Sequence, residues 1–206
     1  MKKKVVILSC VLWASAVAFG VSRMLDYETS PGDQASAPHR WPADSRIDLS
    51  VDRATLIMAA HPHCPCTRAS MGELGELMAS IKDRVTVYVL FVKPAGMHEN
   101  WEKTDLWRAA EGIPGVIAVC DEGGIEARRF GCETSGQVVL YNAQGHRLFQ
   151  GGITMGRGRE GDNDGADTIY LMLTGGKVDR TTSPVFGCPV FDHAKQDGED
   201  TLCGRE

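Results

Sequence analysis

Six consecutive residues, His61-Pro62-His63-Cys64-Pro65-Cys66, bring two thiols and two imidazoles together. Cysteine is a nucleophile only as the thiolate, and a free thiol is mostly protonated near neutral pH. Two thiols close in the chain, one of them activated, form a pair that exchanges disulfides with other molecules. On this reading Cys64 attacks, Cys66 resolves the mixed disulfide, and His63 lends positive charge to the attacking sulfur. The partners are protein thiols and disulfides, and no cofactor is needed. One residue between the cysteines closes a small ring, which strains the torsions a disulfide prefers. Such a bridge is easily reduced, a property of an oxidant or isomerase. The same stretch supports a second chemistry. Imidazole nitrogen and thiolate sulfur suit Cu(I) or zinc. His61, His63, Cys64 and Cys66 are therefore the alternative site, that of a copper or zinc binding or delivery protein.

The flanking sequence says what positions these groups. "ATLIMAA", residues 54–60, is an apolar run suited to a buried strand. From Cys64 onward the period changes, and Ala69, Leu74, Leu77, Met78 and Ile81 approximate one helical face. The thiols thus stand at a strand-to-helix mouth. Unpaired amides and the positive end of the helix dipole favour a thiolate there, and Pro65 has no amide to waste in a first turn. "RVTVYVLFV", 84–92, is β-branched and aromatic and predicts a strand; residues 99–112 predict a helix ending at Gly112. "GVIAVC", 115–120, predicts a buried strand with Cys120 as a packed thiol, and 121–131 a short helix. "GQVVLYNAQGHRLFQGG" predicts a hairpin about 142–145. Residues 158–167 read as a solvated loop leading into an Asn163-capped helix over 163–176. Trp101 and Trp107 read as core or helix-face residues. The order β-α-β-α-β-α-β-β-α implies an α/β fold with parallel crossovers and one antiparallel edge.

The N-terminus carries Lys2, Lys3 and Lys4 and then an uncharged run, Val5–Ser22, closed by Arg23. That run is long enough to span a bilayer, and lysines at its head keep that end cytoplasmic. The alternative is a signal peptide cleaved after Ala16-Val17-Ala18. Either way the remainder faces an oxidising, extracytoplasmic (periplasmic) space where disulfides persist, and a Cys188–Cys203 structural bridge is one expectation. Residues 26–46, rich in Pro, Ser, Ala and Asp, read as a linker. A net charge of −5 with no basic cluster beyond the three lysines excludes nucleic acid as a partner.

A strand, a cysteine pair at a helix mouth, a second strand, an inserted αβ unit and a closing hairpin plus helix resemble the thioredoxin-like fold family. The match runs from "LIMAAHPHCPCTRASMGEL" through "VCDEGGIEARRFGCETSGQVVLYNAQGHRLFQGG". The inserted unit is most similar to the TlpA-like and peroxiredoxin-like branch. "RRFGCETSGQVVLYNAQGHRLF" together with "CPCTRAS" also resembles small membrane-bound RedB-type proteins. The resemblance implies a mixed sheet flanked by helices behind one transmembrane helix, and a thiol–disulfide oxidoreductase. It divides the chain into a membrane anchor or signal segment over 1–25, a linker over 26–46, a thioredoxin-like domain over 47–176 and a Cys-containing tail over 177–206. It also implies that Ser135 and Gly136 face the dithiol, offering backbone to a substrate, and that Cys132 lies in the neighbourhood of the active loop. If Cys64–Cys66 does not close, Cys132 or Cys188 is the alternative resolving thiol. Two features depart from the family: the motif is Cys-x-Cys rather than Cys-x-x-Cys, and Ser135-Gly136 stands where the family carries a cis-proline.

Overall fold

A computed structural model describes residues 2–191. α1 (Lys2–Thr29) stands apart as a long apolar helix. The elements that follow are β1 (Ala54–Ala60), α2 (Thr67–Ile81), β2 (Val85–Lys93), α3 (Asp105–Gly112), β3 (Val116–Glu122), α4 (Ile125–Arg129), β4 (Gln137–Tyr141), β5 (Arg147–Gly152) and α5 (Asp164–Thr174). The five strands form one sheet in the order β3-β2-β1-β4-β5. β1, β2 and β3 run parallel, and β4 and β5 are antiparallel to their neighbours. This is the thioredoxin-like architecture that the order of elements implies.

β1 lies in the middle of the sheet, so both its faces must be apolar. Leu56, Met58 and Ala60 enter one core with Met71, Leu74 and Met78 of α2, Trp107 of α3 and Ile169 of α5. Ile57 and Ala59 point the other way, into a second core with Ala127, Phe130, Val139 and Tyr141. The period-two alternation of the strand assigns each residue to its core.

The second core is where the structure differs most from the sequence reading. Residues 30–53 have no helix or strand, as a linker would, but they are packed. Ala37 and Ile47 are buried in the second core. Trp41 meets the rings of Phe130 and Tyr141 edge-on, with centroids 4.8 and 5.2 Å away. Arg147 N donates to His39 O and Tyr141 Oη to Pro38 O, both at 3.0 Å. A thin sheet face with only the five-residue α4 on it leaves apolar surface bare. These irregular residues cover it.

Residues 177–191 are equally engaged. Gln150 N donates to Thr181 O, and Ser183 N to Gln150 O, along the outer edge of β5. An uncovered edge strand is an invitation to aggregate, and this segment closes it. Cys203 and His193 lie outside the described residues; Cys188 is a free thiol.

Three local readings are corrected. The helix expected over 99–112 begins only at Asp105. Asn100 takes a positive φ of 63°, and Thr104 spends its hydroxyl on Pro62 O at 3.0 Å rather than on its own helix. The helix expected over 121–131 shrinks to α4, because Asp121 and Glu122 stay in β3 and Gly123 and Gly124 turn with φ of 70° and 66°. The Asp121 carboxylate then accepts from Glu126 N and Ala127 N at 2.9 and 2.8 Å, capping α4 from the strand end. Cys120 is exposed, not packed, since β3 is an edge strand with only part of its length covered. Asn163 caps α5 as expected, accepting from Ala166 N at 2.8 Å.

The packing of residues 30–53 is tested by Trp41→Ala. Losing a half-buried indole should destabilise the full-length chain by about 2 kcal/mol, below the range for fully buried aromatics. Urea unfolding in detergent measures this. An unchanged midpoint would mean that the segment is detached in solution.

Candidate active site

Between β1 and α2 the chain makes a tight turn. Cys64 N donates to His61 O at 3.0 Å, Thr67 N to Cys64 O at 3.2 Å, and Arg68 N to Pro65 O at 3.3 Å. Regular helix therefore starts at Thr67 rather than at Cys64, with Cys66 as N-cap. Cys64 is 3% exposed and Cys66 9%. The sulfurs of Cys64 and Cys66 lie within 4.8 Å of one another and of a third, that of Cys188.

Cys188 arrives from the other side of the fold. Ser135 N donates to Cys188 O and Val190 N to Glu133 O, both at 2.8 Å, so residues 188–190 pair with the loop before β4. Thr134 and Pro189 form the antiparallel bridge between them. The two backbones approach so closely that a Cβ on Gly187 would sit 1.9 Å from Ser135 O. Only glycine fits there. The Arg157 guanidinium donates to Gly187 O and fixes the same turn from outside.

The electrostatics differ among the three thiols. Burial opposes ionisation of Cys64, but hydrogen bonds from the hydroxyl and amide of Thr67 and from the thiol and amide of Cys188 outweigh it and draw its pKa below that of an ordinary thiol. Burial pushes Cys66 up, and a charge on Cys64 pushes it further; Arg157 partly offsets both. Burial pushes Cys188 up to about 12, and the bond it donates to Cys64 adds to this. Of the three sulfurs, Cys64 is thus the most readily ionised.

The remaining site residues sort as follows. Ser135 Oγ accepts from His61 N at 2.7 Å and meets Thr67 Oγ1 at 2.5 Å, tying both ends of the cysteine turn to the β4 loop. Gly136 lies against α2, where an added Cβ would be 2.6 Å from Ser70 Oγ. The amides of both residues are already committed, Ser135 N to Cys188 O and Gly136 N to Ala59 O at 2.8 Å, so they offer no backbone donor to a substrate. Cys132 does not join the cluster. It is 1% exposed in the second core, its thiol is 3.9 Å from Phe130 O, and burial pushes it up to about 12.

His63 is exposed and stacks on Trp101 at 4.6 Å, and the Trp101 ring also meets His61 at 5.7 Å. The groups that stabilise the Cys64 thiolate are Thr67 and Cys188, not His63. Among the described residues, the soft donors that converge and could hold a thiophilic ion are Cys64, Cys66 and Cys188, with neither histidine in the set. Thr67 was legible in principle, standing three residues after Cys64 at a helix start. Cys188 carried no local signal.

No protein-family model matches the sequence, and no curated protein does. Among solved structures, an uncharacterized conserved protein from Geobacillus kaustophilus matches with a TM-score of 0.57 at 20% identity, over 79% of this chain and 92% of its own. A hypothetical protein from Sinorhizobium meliloti 1021 matches with a TM-score of 0.55 at 19% identity, over 78% and 93%. A secreted disulfide oxidoreductase from Mycobacterium tuberculosis is more remote, with a TM-score of 0.45 at 13% identity, over 69% and 95%. At these identities the likeness is one of fold.

Two substitutions probe this geometry. Thr67→Val removes the hydroxyl bonded to Cys64, so the pH midpoint for alkylation of Cys64 should move up, while Thr67→Ser should leave it nearly in place. A midpoint unmoved by valine would show that the hydroxyl does not hold the thiolate. Gly136→Pro should prevent folding, because φ at this position is +92° and the amide is bonded; proline fixes φ near −65° and has no donor. A folded Gly136→Pro protein, judged by near-UV circular dichroism, would refute the loop geometry.

Proposed function

We propose that this protein is an exported, membrane-tethered thiol–disulfide oxidoreductase in which Cys64 is the attacking thiol. What carries the reading is the cluster of three sulfurs within 4.8 Å at the start of α2, one drawn toward the thiolate and two held protonated. A thiolate of this kind attacks a substrate disulfide, and a neighbouring thiol completes the exchange. His61, Val92, Pro94, Arg128, Pro189 and Phe191 line a groove of mixed polar and apolar character that reaches the residue after Cys188, which suits an extended polypeptide bringing its own cysteine to Cys64. The thioredoxin-like fold and the RedB-type resemblance agree with this reading.

The tether is α1. It is long and apolar enough to cross a membrane, with mean hydropathy 2.2 over its most apolar 18 residues, none of that window buried. Near its C-terminal end the Tyr27 ring faces the Arg157 guanidinium at 4.8 Å, and Glu28 O accepts from Arg157 N at 2.9 Å. An anchored domain would hold its thiols close to the membrane on the extracytoplasmic side.

A second reading has one observation in its favour: the same three sulfurs are soft donors at close range, the kind that bind Cu(I) or zinc. One experiment separates the two. Full-length protein purified under reducing conditions is assayed for bound metal and for turnover of a disulfide-linked polypeptide. Exchange should proceed without metal, and Cys64→Ser should bring it to the uncatalysed background while the fold persists. A stoichiometric thiophilic ion that blocks labelling of the cysteines, with no exchange activity, would replace this reading by the metal-binding one. For the tether, the full chain should stay with membranes through an alkaline carbonate wash. A mature N-terminus at Phe19 would overturn the anchor.

A further inference from the structure

We propose that Cys188, not Cys66, is the thiol that resolves the mixed disulfide on Cys64, so that the working couple is Cys64–Cys188. The proposal rests on the exchange reading and goes beyond it by naming the second catalytic sulfur.

The geometry at Cys188 is built, not incidental. Its own segment is pinned by Ser135 N to Cys188 O and by Val190 N to Glu133 O. Gly187 lies flush against Ser135 O, and Arg157 holds Gly187 O. Upstream, Val185 O accepts from Gly32 N at 2.8 Å, and Ser183 is locked onto Gly152 by two bonds of 3.0 and 2.7 Å. A chain terminus visiting the site by chance needs none of this. The outcome is a thiol delivered to within 4.8 Å of Cys64 Sγ.

Cys66 is close for a different reason: it is two residues away. Pro65 fixes the backbone between the two cysteines, and Cys66 is already in helical conformation as the cap of α2. Closing Cys64–Cys66 means forcing a small ring onto that turn, against the preferred disulfide torsions. Cys64 and Cys188 lie on separate segments, so a bridge between them is free of that ring constraint.

The chemistry balances as two exchanges. The Cys64 thiolate attacks one sulfur of the substrate disulfide; a bond forms between that sulfur and Cys64, the substrate S–S bond breaks, and the departing thiolate takes a proton from water. Cys188 then gives up its proton, and its sulfur attacks Cys64 Sγ. The Cys64–substrate bond breaks, the Cys64–Cys188 bond forms, and the second substrate sulfur leaves and takes up the proton. The substrate gains two electrons and the protein dithiol loses them. Run backwards, the same steps oxidise a substrate dithiol. The formed bridge also staples residues 187–190 to the cysteine turn.

The test uses reduced full-length protein in detergent with oxidised glutathione as the probe. Tryptic mapping after oxidation should link the peptide 54–68, which holds Cys64 and Cys66, to the peptide 181–195, which holds Cys188. In Cys66→Ser the link should persist, and release of the second glutathione should stay within about twofold of the parent rate. In Cys188→Ser a glutathione adduct on Cys64 should accumulate, with release slowed about tenfold or more. Rapid alkylation of Cys64 in Cys188→Ser separates lost resolution from a lost site, and Cys188→Ala repeats the test if serine disturbs the fold. An internal Cys64–Cys66 loop with 181–195 unlinked, or an adduct that accumulates in Cys66→Ser, overturns the assignment while leaving the exchange reading intact. Failure of Cys64 to form any glutathione adduct in the Cys66→Ser/Cys188→Ser double variant, where no neighbouring thiol can resolve it, sinks both.

Discussion

The approach of two backbones at Ser135 and Gly187 is the constraint on which this site depends. A β-carbon at 187 would collide with Ser135 O, so the turn can be made only by glycine. Once made, it fixes Cys188 O on Ser135 N, and the thiol of Cys188 falls beside Cys64. The same Ser135 uses its side chain on His61 N and Thr67, the two ends of the cysteine turn. A single loop residue therefore registers three segments against one another: the strand-to-helix turn, the loop before β4 and the run from 181 to 190. In the wider fold family a cis-proline occupies this wall. Here a serine, a positive-φ glycine and an incoming cysteine share the position.

That arrangement explains how a nearly buried sulfur can have a lowered pKa. Burial alone disfavours a thiolate. Cys64 escapes because its polar surroundings, Thr67 and Cys188, more than offset the burial. The neighbouring thiols cannot all ionise, since each charge raises the cost of the next, so Cys66 and Cys188 remain protonated while Cys64 is charged. The asymmetry is a direct consequence of which sulfur receives hydrogen bonds and which one gives them.

The stability of the domain is distributed in an unusual way for the same reason. One face of the sheet is covered by α2, α3 and α5, but the other has only the short α4. Irregular chain supplies the missing layer: Ala37, Trp41, Ile47 and Leu49 from one end, Val190 and Phe191 from the other. Segments without secondary structure must place their backbone polar groups elsewhere. They do so on strand edges and side chains, as with Ala37 N on Gln150 Oε1 at 2.9 Å and Gly32 N on Val185 O. The covering layer and the delivery of Cys188 are parts of one packing solution.

Much of the architecture was legible along the chain. β1 falls on residues 54–60 as read, and β2, β4, β5 and α5 lie within a residue or two of their expected bounds, because burial on a sheet or helix imposes a local period that a sequence displays directly. The position of the cysteine pair was legible too, since two thiols at a strand-to-helix junction need no distant partner to be noticed. Hidden were the packed state of residues 30–53, the exposure of Cys120, the ring contacts of His61 and His63 with Trp101, and above all the meeting of Cys188 with Cys64. Residues 30–50 and 181–190 have no period, so nothing in their spacing records what they touch. Their place is set by long-range contacts: a ring that finds an open core face, a strand edge that needs partners, a glycine that permits a close approach. Local sequence determined which sulfur stands at the helix mouth; only the folded chain decided which other sulfur stands beside it, because proximity across more than half the chain is a property of packing and not of spacing.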